Sequence, residues 1–334
     1  MIKVSIIGAG AWGTALACIL RRANHAVMLW ALEDEVVHSI NAEKGNPMYL
    51  PGVSLDKGIV ATGDISEAIA QSQVVFSVVP SQFFRSVAEK IAFSIDPGTP
   101  LVICSKGIEV ETGALMTEIA DEIIQKNPVL VLSGPSFAHE AIAATPTAVA
   151  LASTNLKDAE IITSLIGTSC FRPYPMDDPI GAEVGGAAKN VLAIACGIVV
   201  GREMGDNTRA ALITRGLFEM AMLGVAKGAK ARTFMGLSGL GDLTLTCNGL
   251  NSRNMSLGVE LGKGNPLADI LANRNSIAEG VETARGIVEL AQKLNVELPI
   301  IEAVYRILHH QADITQAIDN LLDRPFTPEF KGLD

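Results

Sequence analysis

The chain has 334 residues, of which 49% are apolar and only 4% aromatic, and it carries a formal net charge of −10. That length suggests two domains with full cores. The acidic balance argues against a general nucleic-acid binder, while a local basic site for a small anion stays compatible with it. The cysteines Cys18, Cys104, Cys170, Cys196 and Cys247 are odd in number, include no CxxC pair and have mostly apolar neighbours. They read as reduced thiols of a cytoplasmic protein, not as a disulfide framework. The histidines form no HExxH, so no metal site is expected. The first residues run straight into a strand, with no secretory signal. The most apolar later run, Val191 to Gly201, is bounded by Lys189 and Arg202 and is too short for a membrane span.

Val4 to Ile7 is a short apolar run that reads as a buried strand ending at Gly8. A helical pattern follows, with Leu16, Ile19, Leu20 and Ala23 on one face. Gly8-x-Gly10-x-x-Gly13 therefore sits on a strand-to-helix turn. Gly8 permits the turn, Gly10 lets a pyrophosphate approach the backbone, and Gly13 lets the helix pack on the strand. The helix start presents N–H groups and a positive dipole end to phosphates, so Gly8, Gly10 and Gly13 are assigned to a dinucleotide, with Ala11 in the same turn. A plain glycine-rich turn is the bland alternative, and the matching flanks weigh against it. Strands are then expected at 26–31, 59–61, 74–79, 101–104, 129–132 and 147–152, with helices near 83–93 and 115–125. Asp64-Ile-Ser-Glu67 has the form of a capping box.

Strands alternating with helices imply a mainly parallel, doubly wound sheet whose ligands bind beyond the strands' carboxyl ends. The pattern changes near Met176-Asp-Asp-Pro179. From there it is helical, over about 180–202, 207–227, 252–261, 283–294 and 300–308. The expected architecture is α/β: an N-terminal Rossmann-type sheet in a dinucleotide-binding domain, residues 1–179, and a C-terminal all-helical, substrate-binding and catalytic domain, residues 180–334. The tail from Arg324 onward is expected to be poorly ordered.

Four places could carry chemistry. Lys106 follows an apolar strand at once, which places an ammonium at the strand end; a solvated loop lysine is the commoner fate. Lys189 stands in Gly185-Gly-Ala-Ala-Lys189-Asn190, an almost wholly apolar setting that strips hydration, lowers a lysine's pKa and fits proton transfer. A lysine snorkelling to solvent is the alternative. Gly185, one turn earlier, is read as clearing space for a cofactor or substrate. Asp242, in the glycine-dense loop before it, is either a turn aspartate or the carboxylate that holds a lysine. Ser252-Arg253-Asn254 opens a helix. Ser and Asn are ordinary caps there, yet an arginine beside free N–H groups also suits a phosphate.

In their order along the chain, Gly8-Ala-Gly-Ala-Trp-Gly13, Ser105-Lys106-Gly107, Ser133-Gly-Pro-Ser-Phe-Ala138, Gly185-Gly-Ala-Ala-Lys189-Asn190, Gly239-Leu-Gly-Asp242-Leu, Asn251-Ser-Arg-Asn254 and Ala278-Glu279-Gly280 closely resemble the bacterial NAD(P)-dependent glycerol-3-phosphate dehydrogenases. The resemblance implies reduction of dihydroxyacetone phosphate to sn-glycerol 3-phosphate with NAD(P)H, which supplies the glycerophospholipid backbone, in a cytoplasmic homodimer. It implies Lys189 as proton acceptor in oxidation and donor in reduction, beside Lys106 and Asp242. It implies Lys106, Gly134, Ser136, Lys189, Asp242, Ser252, Arg253 and Asn254 on the substrate, and Trp12, Lys106, Ala138, Arg253, Ile277 and Glu279 on the cofactor.

This chain has Leu32 where the family usually has arginine or histidine to meet the 2′-phosphate of NADP. Glu33 stands about 20 residues after Gly13, the spacing at which a carboxylate accepts from the ribose 2′-hydroxyl of NAD. Its bland role is to open the following helix. NADH is thus expected to serve better than NADPH. Two rivals remain: a related β-hydroxyacid dehydrogenase or ketopantoate reductase, which needs no phosphate site at Ser252-Arg253-Asn254, and an NAD(H)-sensing module, which needs no lysine in an apolar setting.

Overall fold

The computed structural model describes residues 1–249, 251–273, 278–330 and 332. The strands are β1 (Lys3–Ile7), β2 (Ala26–Trp30), β3 (Gly45–Asn46), β4 (Leu50–Ser54), β5 (Ile59–Thr62), β6 (Val74–Ser77), β7 (Leu101–Ile103), β8 (Val129–Ser133), β9 (Thr147–Ser153) and β10 (Phe171–Met176). Between and after them come α1 (Ala11–Arg22), α2 (Asp34–His38), α3 (Ile65–Ile69), α4 (Phe84–Ala92), α5 (Met116–Ile123), α6 (Ala138–Ile142), α7 (Leu156–Ile166) and α8 (Pro179–Gly201). The remaining helices are α9 (Asp206–Lys227), α10 (Asp242–Asn248), α11 (Arg253–Gly262), α12 (Leu267–Ala272), α13 (Gly280–Leu294), α14 (Pro299–His310) and α15 (Ile314–Leu322).

The chain divides into two compact units. The first is Met1–Ser105 with Met116–Pro179, and the second is Lys106–Leu115 with Ile180–Asp334. The excursion Lys106–Leu115 was not foreseen. Its apolar residues explain it: Ile108 and Leu115 are buried in the helical core beside Val184, Leu192 and Ile287.

In the first unit eight strands form one sheet in the order β10-β9-β8-β7-β6-β1-β2-β5. All neighbours are parallel except β8 and β9. From β1 the chain winds to one side through β2 and β5, then crosses to β6 on the other. The order therefore reverses between β1 and β6, and the carboxyl end of β1, where Gly8 follows, lies at that switch point. Val4, Ile6, Val74, Phe76, Val102 and Leu130 are buried, as expected of strands covered on both faces. The sheet pattern misses β10, whose Phe-Arg-Pro-Tyr-Pro-Met run contains two prolines. Proline is tolerated on an edge strand, and β10 stands at the end of the sheet order, beside β9. The expected capping box is half formed. Asp64 accepts from the N–H groups of Ser66 and Glu67, but Glu67 takes the Thr62 hydroxyl instead of reaching back to Asp64.

The second unit is helical. α8 is long and apolar enough to cross a membrane by length and composition, yet 89% of its most apolar stretch is buried inside the protein. It is the central core helix, and α11 crosses it at backbone contact: a Cβ on Gly197 would lie 2.2 Å from the Met255 carbonyl, and one on Gly258 2.1 Å from that of Ile194. Three contacts reach residues 324–330 of the tail. Arg324 pairs with Glu297 at 3.1 Å, the Arg215 guanidinium donates to the Glu329 carbonyl at 2.7 Å, and the Phe330 ring lies 6.5 Å from that of Phe218.

Candidate active site

The glycine turn of the first unit has the shape that a dinucleotide requires. Gly8 has φ +119, and a Cβ there would lie 2.9 Å from the Val78 carbonyl oxygen. A Cβ on Gly13 would lie 1.9 Å from the Gly8 oxygen, so only glycine lets α1 pack so close. Above Gly10 the space is open to at least 4 Å, and Gly10 is the N-cap of α1 with no side chain capping it. A phosphate can approach that backbone and face the helix start. Ala11 and Trp12 open α1.

Glu33 is the N-cap residue of α2, and its carbonyl accepts from Val36 and Val37. Its carboxylate makes no capping bond. It accepts instead from the Tyr49 hydroxyl at 2.7 Å. Tyr49, and Asn46 near it, were not foreseen; in sequence the stretch 46–52 reads only as a loop.

In the second unit three predicted residues meet. Lys189, in the middle of α8, donates to Asp242 Oδ1 at 2.5 Å and to the Thr246 hydroxyl at 3.1 Å. Lys106 donates to Asp242 Oδ2 at 2.6 Å. Asp242 thus binds one ammonium with each oxygen, and Thr246, four residues on and so on the same face of α10, closes the group by donating to the Asp242 carbonyl at 2.6 Å. That i, i+4 spacing was the available signal for Thr246.

Burial pushes the Lys189 ammonium down to about 8; Asp242 opposes the shift, and the Lys106 charge adds to it. At Lys106 burial acts in the same sense, but the Asp242 charge and hydrogen bond prevail and raise its pKa. Burial favours a neutral Asp242, yet the two lysines outweigh it and keep the carboxylate ionised below its ordinary range. The outcome is one firmly charged lysine and one poised near neutrality. Gly185 has a different role from the one expected: a Cβ there would lie 2.3 Å from the Ser238 carbonyl oxygen, so the glycine admits the loop before Asp242, not a ligand.

Ser252 caps α11 by accepting from Met255 N–H at 3.2 Å, which is its bland role. Arg253 is exposed at the first helical position. Asn254 accepts from the Gly280 N–H at 3.0 Å and so ties the starts of α11 and α13 together. Glu279 stands at the start of α13. Burial raises its pKa, while Arg253, Lys106 and Lys189 pull it back down. Gly134, Ser136 and Ala138 belong to the first unit, where the Ser136 hydroxyl donates to the Gly134 carbonyl at 3.0 Å. Ile277 lies outside the described residues.

A doubly wound sheet with this glycine turn, in a chain with a buried lysine of lowered pKa, has the parts of a dinucleotide-dependent dehydrogenase. The comparisons narrow that class. The family models described as NAD-dependent glycerol-3-phosphate dehydrogenase N-terminus and C-terminus match residues 3–159 and 178–319. The chain is 51% identical over 327 residues to the glycerol-3-phosphate dehydrogenase (NAD(P)+) of Parvibaculum lavamentivorans, covering 98% of both chains. It is 50% identical to that of Rhodospirillum rubrum, covering 98% of this chain and 93% of the relative. The solved glycerol-3-phosphate dehydrogenase of Coxiella burnetii superimposes with a TM-score of 0.93 at 39% identity, covering 97% of this chain and 99% of that one. The chain belongs to the NAD-dependent glycerol-3-phosphate dehydrogenase family. A ketopantoate reductase from Ralstonia eutropha, at TM-score 0.60 and 16% identity, shares the fold alone.

Proposed function

We propose that the chain reduces dihydroxyacetone phosphate to sn-glycerol 3-phosphate with NAD(P)H. The observation that carries the reading is Asp242 bridging Lys106 and Lys189 in a buried site, in a chain about half identical to named glycerol-3-phosphate dehydrogenases. In this proposal residues 1–179 form the dinucleotide-binding domain, apart from the excursion that carries Lys106, and residues 180–334 the substrate and catalytic domain. Gly8, Gly10, Ala11, Trp12 and Gly13 hold the pyrophosphate side of the cofactor, and Glu33 its ribose. Lys106, Ala138, Arg253, Ile277 and Glu279 complete the cofactor contacts. Lys106, Gly134, Ser136, Lys189, Asp242, Ser252, Arg253 and Asn254 hold the substrate.

A nicotinamide dinucleotide held by these residues would supply the hydride for reduction of the C2 carbonyl. Lys189, as the ammonium, gives its proton to the developing alkoxide, and in the reverse direction the amine takes it back. Lys106 stabilises the negative charge on that oxygen. Asp242 keeps both ammonium groups oriented, and Thr246 fixes Lys189 from a second side. Arg253 and the start of α11 take the substrate phosphate, whose binding positions the carbonyl. The product is the backbone of glycerophospholipids. We infer a cytoplasmic homodimer; the free cysteines, four of them buried, suit a reducing compartment.

The test is NADH absorbance with dihydroxyacetone phosphate, unphosphorylated dihydroxyacetone and ketopantoate in parallel. Rapid loss of absorbance with the phosphate ester alone is expected. Equal rates with ketopantoate would favour the reductase rival, and tight NADH binding without turnover of any of the three would favour a sensor.

A further inference from the structure

Three observations in the first unit converge on one residue pair. The Glu33 carboxylate makes no capping bond to the helix it precedes and accepts from the Tyr49 hydroxyl at 2.7 Å. Tyr49 is itself fixed to the glycine turn through Asn46. That side chain is buried and donates through Nδ2 to the Ala9 carbonyl and to the Thr14 hydroxyl, both at 2.8 Å, while its Oδ1 accepts from Tyr49 N–H at 3.4 Å. Lastly, the strand end that carries Glu33 bears the carboxylates Glu33, Asp34 and Glu35, with Leu32 before them 74% exposed.

We propose that the Tyr49–Glu33 pair, anchored by Asn46, is the element that makes the chain favour NAD(H) over NADP(H), with Tyr49 as the positioning residue and Glu33 as the group that meets the ribose. The proposal rests on the reading that the glycine turn binds a nicotinamide dinucleotide. β2 ends beside that turn, with Gly8 N–H donating to the Trp30 carbonyl at 3.1 Å, so Glu33 stands three residues beyond the strand end that borders the pyrophosphate site. Tyr49 occupies Oε1 and leaves Oε2 to accept from a ribose hydroxyl. A carboxylate held in place cannot swing aside for a 2′-phosphate, and the two anions repel at short range. The hydrogen bond to Glu33, then burial, then the Glu33 charge raise the tyrosine's pKa, so the hydroxyl stays a donor across the working range. An unheld glutamate would rotate into solvent, lose its bond to the 2′-hydroxyl and open room for the phosphate. Tyr49 therefore acts on both sides of the preference.

The experiment titrates NAD+ and NADP+ calorimetrically into the full-length parent, Tyr49→Phe, Glu33→Ala and the double variant at one salt concentration, with kcat/KM for NADH and NADPH as a second readout. The parent binds NAD+ more tightly. Tyr49→Phe narrows the preference roughly three- to tenfold, within the range of one ordinary hydrogen bond, with NAD+ weakened and NADP+ strengthened. Glu33→Ala narrows it at least as far, and Tyr49→Phe adds nothing in that background. Four results would overturn the inference: a parent that prefers NADP+; a parent ratio retained in Tyr49→Phe; both nucleotides weakened alike, as a purely structural tyrosine would give; or a full Tyr49→Phe effect persisting without Glu33. Failure of the parent to bind either dinucleotide would overturn the functional reading as well.

Discussion

Asp242 holds two cations at once, and its removal separates their roles. In Asp242→Asn the buried Lys189 keeps its desolvation and its repulsion from Lys106 but loses the charge that opposes both. Its pKa must fall further below about 8, so the pH above which dihydroxyacetone phosphate reduction declines moves down, and turnover at neutral pH drops. An Asp242→Asn profile that keeps the parent's break would show that the carboxylate does not set the charge of Lys189. A second buried acid makes a prediction about stability. Glu219 accepts from Ile300 and Ile301 N–H at 2.8 and 3.1 Å, at the start of α14. Burial raises its carboxyl to about 7, against those two bonds and the charges of Arg215 and Arg324. The folded pKa lies above the ordinary value of 4.5. The folded state therefore holds the proton more tightly, the stabilisation is full below about 4.5, and it is lost as pH rises through about 7. Between pH 5 and 8 the melting temperature of the parent should fall relative to that of Glu219→Gln. Parallel curves for the two proteins would contradict the shift.

At the scale of elements, the α8–α11 crossing is the least forgiving packing in the helical unit. Gly197 and Gly201 on α8 face Gly258 and Gly262 on α11, each with the opposite backbone inside 3 Å of where a Cβ would stand. Backbone cannot move aside as a side chain can, so Gly258→Val should cost about 3 kcal/mol or more, at or beyond the upper end for overpacking, read from the urea midpoint. A loss of less than about 0.5 kcal/mol would mean that the helices can part. Such crossings are invisible in sequence, where four glycines on two helices look only like weak helix formers. Helix and strand positions were largely legible: the expected helix at 180–202 is α8, Pro179–Gly201, and the run at 74–79 contains β6. Periodicity is local and survives folding. β10 was lost because two prolines obscure an edge strand, and the β3–β4 hairpin because its strands are two and five residues long.

Across the whole molecule, the candidate site was legible as residues and not as a network. The motifs pointed to Lys106, Lys189 and Asp242, separated by 83 and 53 positions. That one carboxylate takes both ammonium groups emerges only when residues 106–115 pack into the helical unit, where Lys293 also donates to the Thr112 carbonyl at 2.7 Å. Asn46 and Tyr49 had no local signal, since their partners lie at 9, 14 and 33. On the substrate side, Arg253→Ala should raise KM for dihydroxyacetone phosphate by roughly tenfold or more, the loss of one charge-assisted contact. An unchanged KM would remove the start of α11 from the phosphate site.

The proton carried by Lys189 is the claim on which the rest depends, and kcat/KM against pH in both directions tests it most directly. With its ammonium near 8, reduction of dihydroxyacetone phosphate should hold below that pH and fall above it, while oxidation of sn-glycerol 3-phosphate should rise toward it. Lys189→Met should lose about 10²–10⁴ in turnover together with both breaks, while still binding NADH. A Lys189→Met enzyme that keeps most of its turnover, or keeps the two opposed breaks, would contradict the account.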